Sequence, residues 1–308
     1  MIHTFQDGSR LLHHLEELYR WQQGEPFPPL VVVVAPTLPT LPALLTGLGN
    51  MGVKGALLAG VGEPLPLERC GEALRAGQKA GLELALHLEE HPLSAAWFQE
   101  CAPTLDWLRR TLPDADPEPF WREMARAVQM RREGRWPLRL GILQEVTLEN
   151  GPGLEASIRR AEALGVDFFQ ALPAGLPPGQ RVPPWDPAWL QRIASLSTGG
   201  MRLLFSRALF EENHARDYER CLGLPFVARI AADGKVYACE AHAGEPAFCY
   251  GDVNREDFPT IWRGSGPIRD RITREWEVRT RCVSCCHNHG INQWLWRQTH
   301  PPVHIHFI

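Results

Sequence analysis

The 308-residue chain has 44% hydrophobic residues, a formal charge of −4 and a pI near 6.3. That is enough apolar material for a sizeable core, and it gives no general electrostatic pull toward polyanions, so neither nucleic acid nor an anionic membrane is an expected partner. No apolar run approaches the ~20 residues that cross a bilayer. The amino end has neither the apolar stretch nor the small-residue cleavage site of a secretory leader, so the chain reads as cytoplasmic.

Residues 1–20 alternate charged and apolar positions and read as an amphipathic helix. Residues 30–35 form a short β-branched run bounded by prolines, as expected for a strand buried on both faces of a parallel sheet. Similar runs recur at 55–60, 82–87, 138–143, 166–170 and 201–205. Between them, 67–80, 117–133, 153–164 and 187–196 carry apolar residues at three- and four-residue spacing, with Gly165 closing the third as a C-terminal glycine. A proline- and glycine-rich stretch, 174–187, reads as a surface loop. Strand followed by helix, repeated, predicts an α/β fold with a parallel barrel or partial barrel over residues 25–210. Beyond residue 220 the texture changes to short β pieces, cysteines and a tail rich in tryptophan and histidine. The expected domains are therefore 1–215 and 216–308, with 301–308 an extended end.

Eight cysteines in a chain without a secretory leader point to thiols kept reduced for metal, and six of the eight lie beyond residue 220. Cys221 and Cys239 flank two predicted strands, 226–231 and 235–238, joined by an Asp233-Gly234 turn. Such a hairpin brings its two ends together. Cys282 and Cys285 are separated by two residues, a spacing that lets both sulfurs face one metal or cluster. Four soft thiolates select an iron-sulfur cluster or zinc over magnesium or calcium, and spacing leaves those two open. Cys249 and Cys286 are surplus, Cys286 being able to replace a neighbour as ligand, while Cys70 and Cys101 read as small buried hydrophobes. His287 and His289 are expected as outer donors or exposed side chains, with mixed Cys/His ligation the alternative. Trp262, Trp276, Trp294 and Trp296 are expected to pack the small module. No Ser-His-Asp order, phosphate loop or zinc-hydrolase motif stands out, so no catalytic residue is assigned.

The run Gly234-Lys-Val-Tyr-Ala-Cys239, preceded by Cys221 and followed by Tyr250-Gly-Asp-Val and Phe258-Pro-Thr-Ile-Trp262, resembles the C-terminal auxiliary-cluster modules of radical SAM enzymes. These are the SPASM and twitch domains. Two cysteine pairs match the shorter, twitch type, which implies one auxiliary 4Fe-4S cluster on Cys221, Cys239, Cys282 and Cys285. The preceding domain resembles the radical SAM partial barrel. Leu58-Ala-Gly-Val-Gly-Glu-Pro-Leu65 is similar to the family's glycine-rich motif after the second strand, which implies S-adenosylmethionine contacts at Gly60, Gly62, Glu63 and Pro64. Phe27 to Thr37 resembles the first strand and its exit, and Val146 to Asn150 the end of the fifth strand.

The family's C-x-x-x-C-x-x-C triplet is absent; Thr40, Leu44 and Gly47 stand at its spacing. The segment from there to Gly60 is short for the family, so the cluster loop and its helix are expected to be partly deleted. Residues 106–115 look like a worn fourth-strand segment. The resemblance thus implies a catalytically degenerate relative that acts as scaffold, electron relay or subunit docking to an active radical SAM enzyme or an electron donor. The alternatives are an enzyme that still binds S-adenosylmethionine and modifies a peptide or small molecule by an unusual route, and a structural zinc protein.

Overall fold

Four consecutive valines form β1 (Val31–Val34), three of them buried, as a central parallel strand requires. The structure, a computed structural model, describes residues 8–59, 67–89, 93–114, 117–175, 184–211, 216–284, 286 and 288–301. Parallel strands follow β1 in chain order: β2 (Gly55–Ala59), β3 (Glu83–Leu88), β4 (Trp107–Thr111), β5 (Arg139–Val146), β6 (Phe168–Pro173) and β7 (Arg202–Phe205). Helices Leu41–Met51, Leu67–Lys79, Ala95–Cys101, Glu118–Gly134, Leu154–Leu164 and Pro187–Ala194 make the crossovers. Local chemistry sets their ends: the Ser94 hydroxyl accepts from Trp97 N, Asp186 accepts from Ala188 N at 2.9 Å, and Gly165 turns left-handed at φ 83°. Because the strand order never doubles back, the helices lie against one face and the sheet curls around the other, giving the expected partial barrel.

Two apolar cores result. Alternate residues such as Val32, Leu58, Leu86, Leu108 and Ile142 pack under the helices. Their neighbours Val33, Leu57, Ala59 and Ala85 face the concave side, where Leu11, Leu18, Ile291 and Leu295 cover them. The amino-terminal helix expected as one piece is two, a 3-10 segment Gly8–His13 and the helix Leu15–Gln23.

The cysteine-rich region is built onto the same sheet. β8 (Val227–Ile230) pairs in parallel with the free edge of β1, Val33 opposite Arg229, and β9 (Lys235–Tyr237) and β10 (Cys249–Asp252) continue it antiparallel. Gly234 makes the predicted hairpin turn at φ 83°, with the Asp233 carboxylate accepting from Lys235 N. Trp262 Nε1 donates to Phe27 O at 2.7 Å, a second tie to the barrel.

Two expectations need correction. The expected short strands are present as β8 and β9, but beyond residue 257 the described chain is largely helical, with Phe258–Gly264, Gly266–Glu275, Val278–Arg281 and His289–Thr299. The helix after β1 is not deleted: Leu41–Met51 is intact, with Leu41, Leu44, Leu45 and Leu48 buried. Residues 35–40 connect β1 to that helix. Of the three positions at the missing triplet's spacing, Thr40 is the helix N-cap residue, Leu44 is core, and Gly47 lies within the helix.

On the concave face His87 is buried, and its Nδ1 accepts from Arg109 Nε at 3.1 Å. Burial, and then the Arg109 guanidinium, hold this imidazole well below its ordinary value of 6.5. The unfolded chain therefore takes up a proton near pH 6.5 that the folded chain refuses, and unfolding free energy falls as pH drops below that value, by at most ~1.4 kcal/mol per pH unit. His87→Gln is expected to flatten the decline of the urea midpoint between about pH 6.5 and 5. An unchanged slope would show that the imidazole is protonated in the folded state.

Candidate metal centre

Four cysteines reach one place from three directions. Cys221 precedes β8, Cys239 follows β9, and Cys282 and Cys286 come from the turn after helix Val278–Arg281. Together they line a small pocket of about 20 Å³, whose remaining walls are mostly apolar, among them Tyr218, Leu224, Phe248 and Ile272. Cys221, Cys239 and Cys286 are buried and Cys282 is half-buried; the described cysteines are all free thiols.

Burial first, and then the neighbouring thiols, push Cys221 up to about 12 and Cys239 well above the ordinary thiol range. Burial, then Cys282, raises Cys286 to about 11, and burial raises Cys282. Each thiolate would sit close to the others in a dry site, so four can be held there only against positive charge. That donor set suits a soft metal or an iron-sulfur cluster, which deprotonates its thiols on binding. Among the described residues no three His, Cys, Asp or Glu side chains converge as ligands of a single ion. The sulfurs line the walls of a space.

Two of the surrounding side chains donate hydrogen bonds to sulfur. Trp276 Nε1 donates to Cys282 Sγ at 3.3 Å and Asn292 Nδ2 to Cys221 Sγ at 3.5 Å. Arg216 donates to the carbonyls of Val278 and Val283 and so fixes the turn that carries Cys282. Arg281 lies 3.7 Å from the Trp276 ring and backs it from outside. Asn292 has a second task, since its Oδ1 accepts from the buried Gly223 N at 2.7 Å and locks the chain just beyond Cys221.

Cys221, Cys239 and Cys282, expected as ligands, are thus brought together. Cys285 lies outside the described residues, and so do Gly60, Gly62, Glu63, Pro64 and His287. Cys286, expected as surplus, lines the pocket, whereas Cys249 is turned to Gly251 O. Cys70 and Cys101 are fully buried and hydrogen-bonded to each other in the helical layer. His289 is buried with Nδ1 3.1 Å from Tyr218 Oη. Trp262 and Trp276 pack the module as expected, but Trp294 packs into the concave-face core of the barrel. Asn292, Trp276 and Arg216 were missed as site residues, because a contact to sulfur across the fold leaves no spacing signal.

Fold and site define a partial α/β barrel carrying a C-terminal module that brings four thiols to one pocket. Residues 221–287 match the family model of SPASM, an iron-sulfur cluster-binding domain. The chain is similar in structure to SuiB of Streptococcus suis, at a TM-score of 0.60 and 12% identity over 82% of this chain and 70% of SuiB. SuiB bound to its precursor peptide SuiA matches at 0.60 and 12%, over 82% and 69%. Native anSMEcpe with bound AdoMet matches at 0.56 and 11%, over 80% of this chain and 83% of that one. At such identities the likeness is one of fold. No curated protein matches the sequence.

Asn292→Leu keeps the volume but leaves the buried Gly223 N–H without an acceptor. It is expected to cost about 1–3 kcal/mol of unfolding free energy, measured by urea titration under anaerobic conditions. A loss indistinguishable from zero would mean that Gly223 N–H finds another partner and that Asn292 does not lock the Cys221 segment.

Proposed function

We propose that the chain is an iron-sulfur protein that holds one 4Fe-4S cluster on Cys221, Cys239, Cys282 and a fourth thiolate from the Cys285-Cys286 pair. Cys285 is favoured by its two-residue spacing from Cys282, and Cys286 by its place in the pocket wall. The single observation that carries the reading is the convergence of buried thiols from separate segments around one apolar space, with N–H donors directed at two of the sulfurs. The SPASM match over 221–287 supports it independently. When bound, such a cluster supplies one-electron redox chemistry, at a potential set by hydrogen bonds to sulfur and by burial. Trp276 and Asn292 are the donors that would make the reduced, more negative form easier to reach, and the apolar wall works in the opposite direction.

We further propose that the barrel does not cleave S-adenosylmethionine and serves as scaffold, electron relay or partner subunit for an active radical SAM enzyme or an electron donor. Support comes from the segment after β1, where a helix N-cap residue, a core leucine and a helical glycine stand at the triplet spacing. None of these can contribute a thiolate. A competing reading keeps S-adenosylmethionine at Gly60, Gly62, Glu63 and Pro64 and assigns peptide or small-molecule modification. It is favoured by the glycine-rich motif and by the AdoMet-bound anSMEcpe and peptide-bound SuiB folds.

Iron and acid-labile sulfide, measured on protein purified and reconstituted without oxygen, are expected at about four each per chain, with broad thiolate-to-iron absorbance. Cys221→Ser and Cys239→Ser should each lose most of it, and Cys285→Ser and Cys286→Ser should differ, the true ligand being the more damaging. Zinc without sulfide would replace the cluster with a structural metal. Release of methionine or 5′-deoxyadenosine from S-adenosylmethionine by the reduced protein would establish the competing reading.

A further inference from the structure

Arg109 stands on β4 facing the barrel interior, with only 2% of its surface exposed. Its Nε donates to His87 Nδ1 at 3.1 Å and its Nη1 donates to Gln170 Oε1, while Nη2 is buried and has no hydrogen-bond partner. The Trp107 ring lies 5.4 Å from the guanidinium carbon. Every one of these partners is neutral. Burial brings the guanidinium down only to about 10, so it remains charged at neutral pH. The carboxylate whose field reaches it is Glu240, and Glu240 Oε1 is already 3.6 Å from Arg229 Nη1. Arg229 comes from β8 at the level of Val33, on the same concave face. Around Arg109 the described residues thus set two guanidiniums, Arg109 and Arg229, against the carboxylate of Glu240.

A buried cation without a counter-ion costs several kcal/mol unless something pairs with it, so an arrangement held in place by His87, Gln170 and Trp107 calls for an anion. The guanidinium fork matches a planar carboxylate. Glu240 Oε2 is also buried without a hydrogen bond, which places an acceptor in the same interior as the donor. We propose that the barrel interior is a receptor for a carboxylate group, bound by Arg109 Nη2 with Arg229 beside it. A carboxylate that also carries an ammonium or hydroxyl group, as amino and hydroxy acids do, can use Glu240 Oε2 as well. This site is independent of what the cysteine pocket holds.

The same chemistry can be presented by a free acid or peptide or by the methionyl part of S-adenosylmethionine, and matched pairs separate the sources. Thermal unfolding of the full, reconstituted chain is followed at fixed ionic strength with acetate against acetamide, methionine against methioninamide, and S-adenosylmethionine against methylthioadenosine. In at least one pair the carboxylate member should raise the Tm in a saturable way, with its partner binding on the order of tenfold more weakly. Arg109→Met should remove the difference within that pair, and Arg109→Lys, which keeps the charge but not the fork, should retain part of it. Response to acetate or methionine assigns the site to free acids and peptides; response to S-adenosylmethionine alone assigns it to that molecule. If Arg109→Met does not fold, the wild-type acid and amide comparison decides alone. Equal binding within every pair, or no shift with any carboxylate at millimolar concentration, would overturn the proposal and leave water as the partner of Nη2.

Discussion

The parallel pairing of β8 with β1 is the joint on which the rest of the molecule depends. Val31–Val34 would otherwise be an edge with half its backbone groups open, and β8 satisfies them residue for residue, Val31 to Val227 through Val34 to Ile230. Cys221 and Cys239 lie just outside the β8-β9 hairpin, so docking the hairpin on the barrel also delivers two of the sulfurs to the pocket. Trp262 repeats the connection from the far side of the module through its bond to Phe27 O. A cysteine cage on a separate, loosely tethered lobe would need its own core; this one borrows the barrel's.

The molecule contains two unbalanced charge problems of opposite sign. At the pocket, four buried thiols cannot ionise together without a cation. In the barrel, a guanidinium is buried among neutral partners. Both are expensive to build. By contrast Arg110, on the other face of β4, meets Glu123 at 2.5 Å. Arg109 and Arg110 are adjacent in sequence and similarly buried, yet only the outward one has its carboxylate, and that contrast marks the concave face as different.

How much of this was legible in the sequence follows from what each element buries. β1, β2, β3, β5 and β6 are sandwiched between the helices and the concave face, so they read as continuous apolar runs. β4 read only as a worn segment because Trp-Leu-Arg-Arg-Thr puts a buried arginine on each face, and a strand with charge on both sides resembles surface. The helix Leu41–Met51 was obscured by Pro42, Gly47 and Gly49, although proline is welcome in a first turn and Gly49 lets the helix close on Ala80. The late helices are short and arginine-rich, and what stabilises them is packing around Trp262 and Trp276, which no local pattern announces. At the site, cysteine spacing pointed to Cys221, Cys239 and Cys282, which line one pocket. Cys286 entered only as a surplus thiol, since two-residue spacing from Cys282 favours its neighbour Cys285.

The helix His289–Thr299 follows directly on the cysteine turn and has two jobs on two faces. Asn292 holds the segment of Cys221, while Ile291 and Leu295 close the concave face of the barrel against Leu11. One rigid helix therefore couples the two ends of the module: a displacement of the Cys221 segment is transmitted through Asn292 to the side chains that close the barrel.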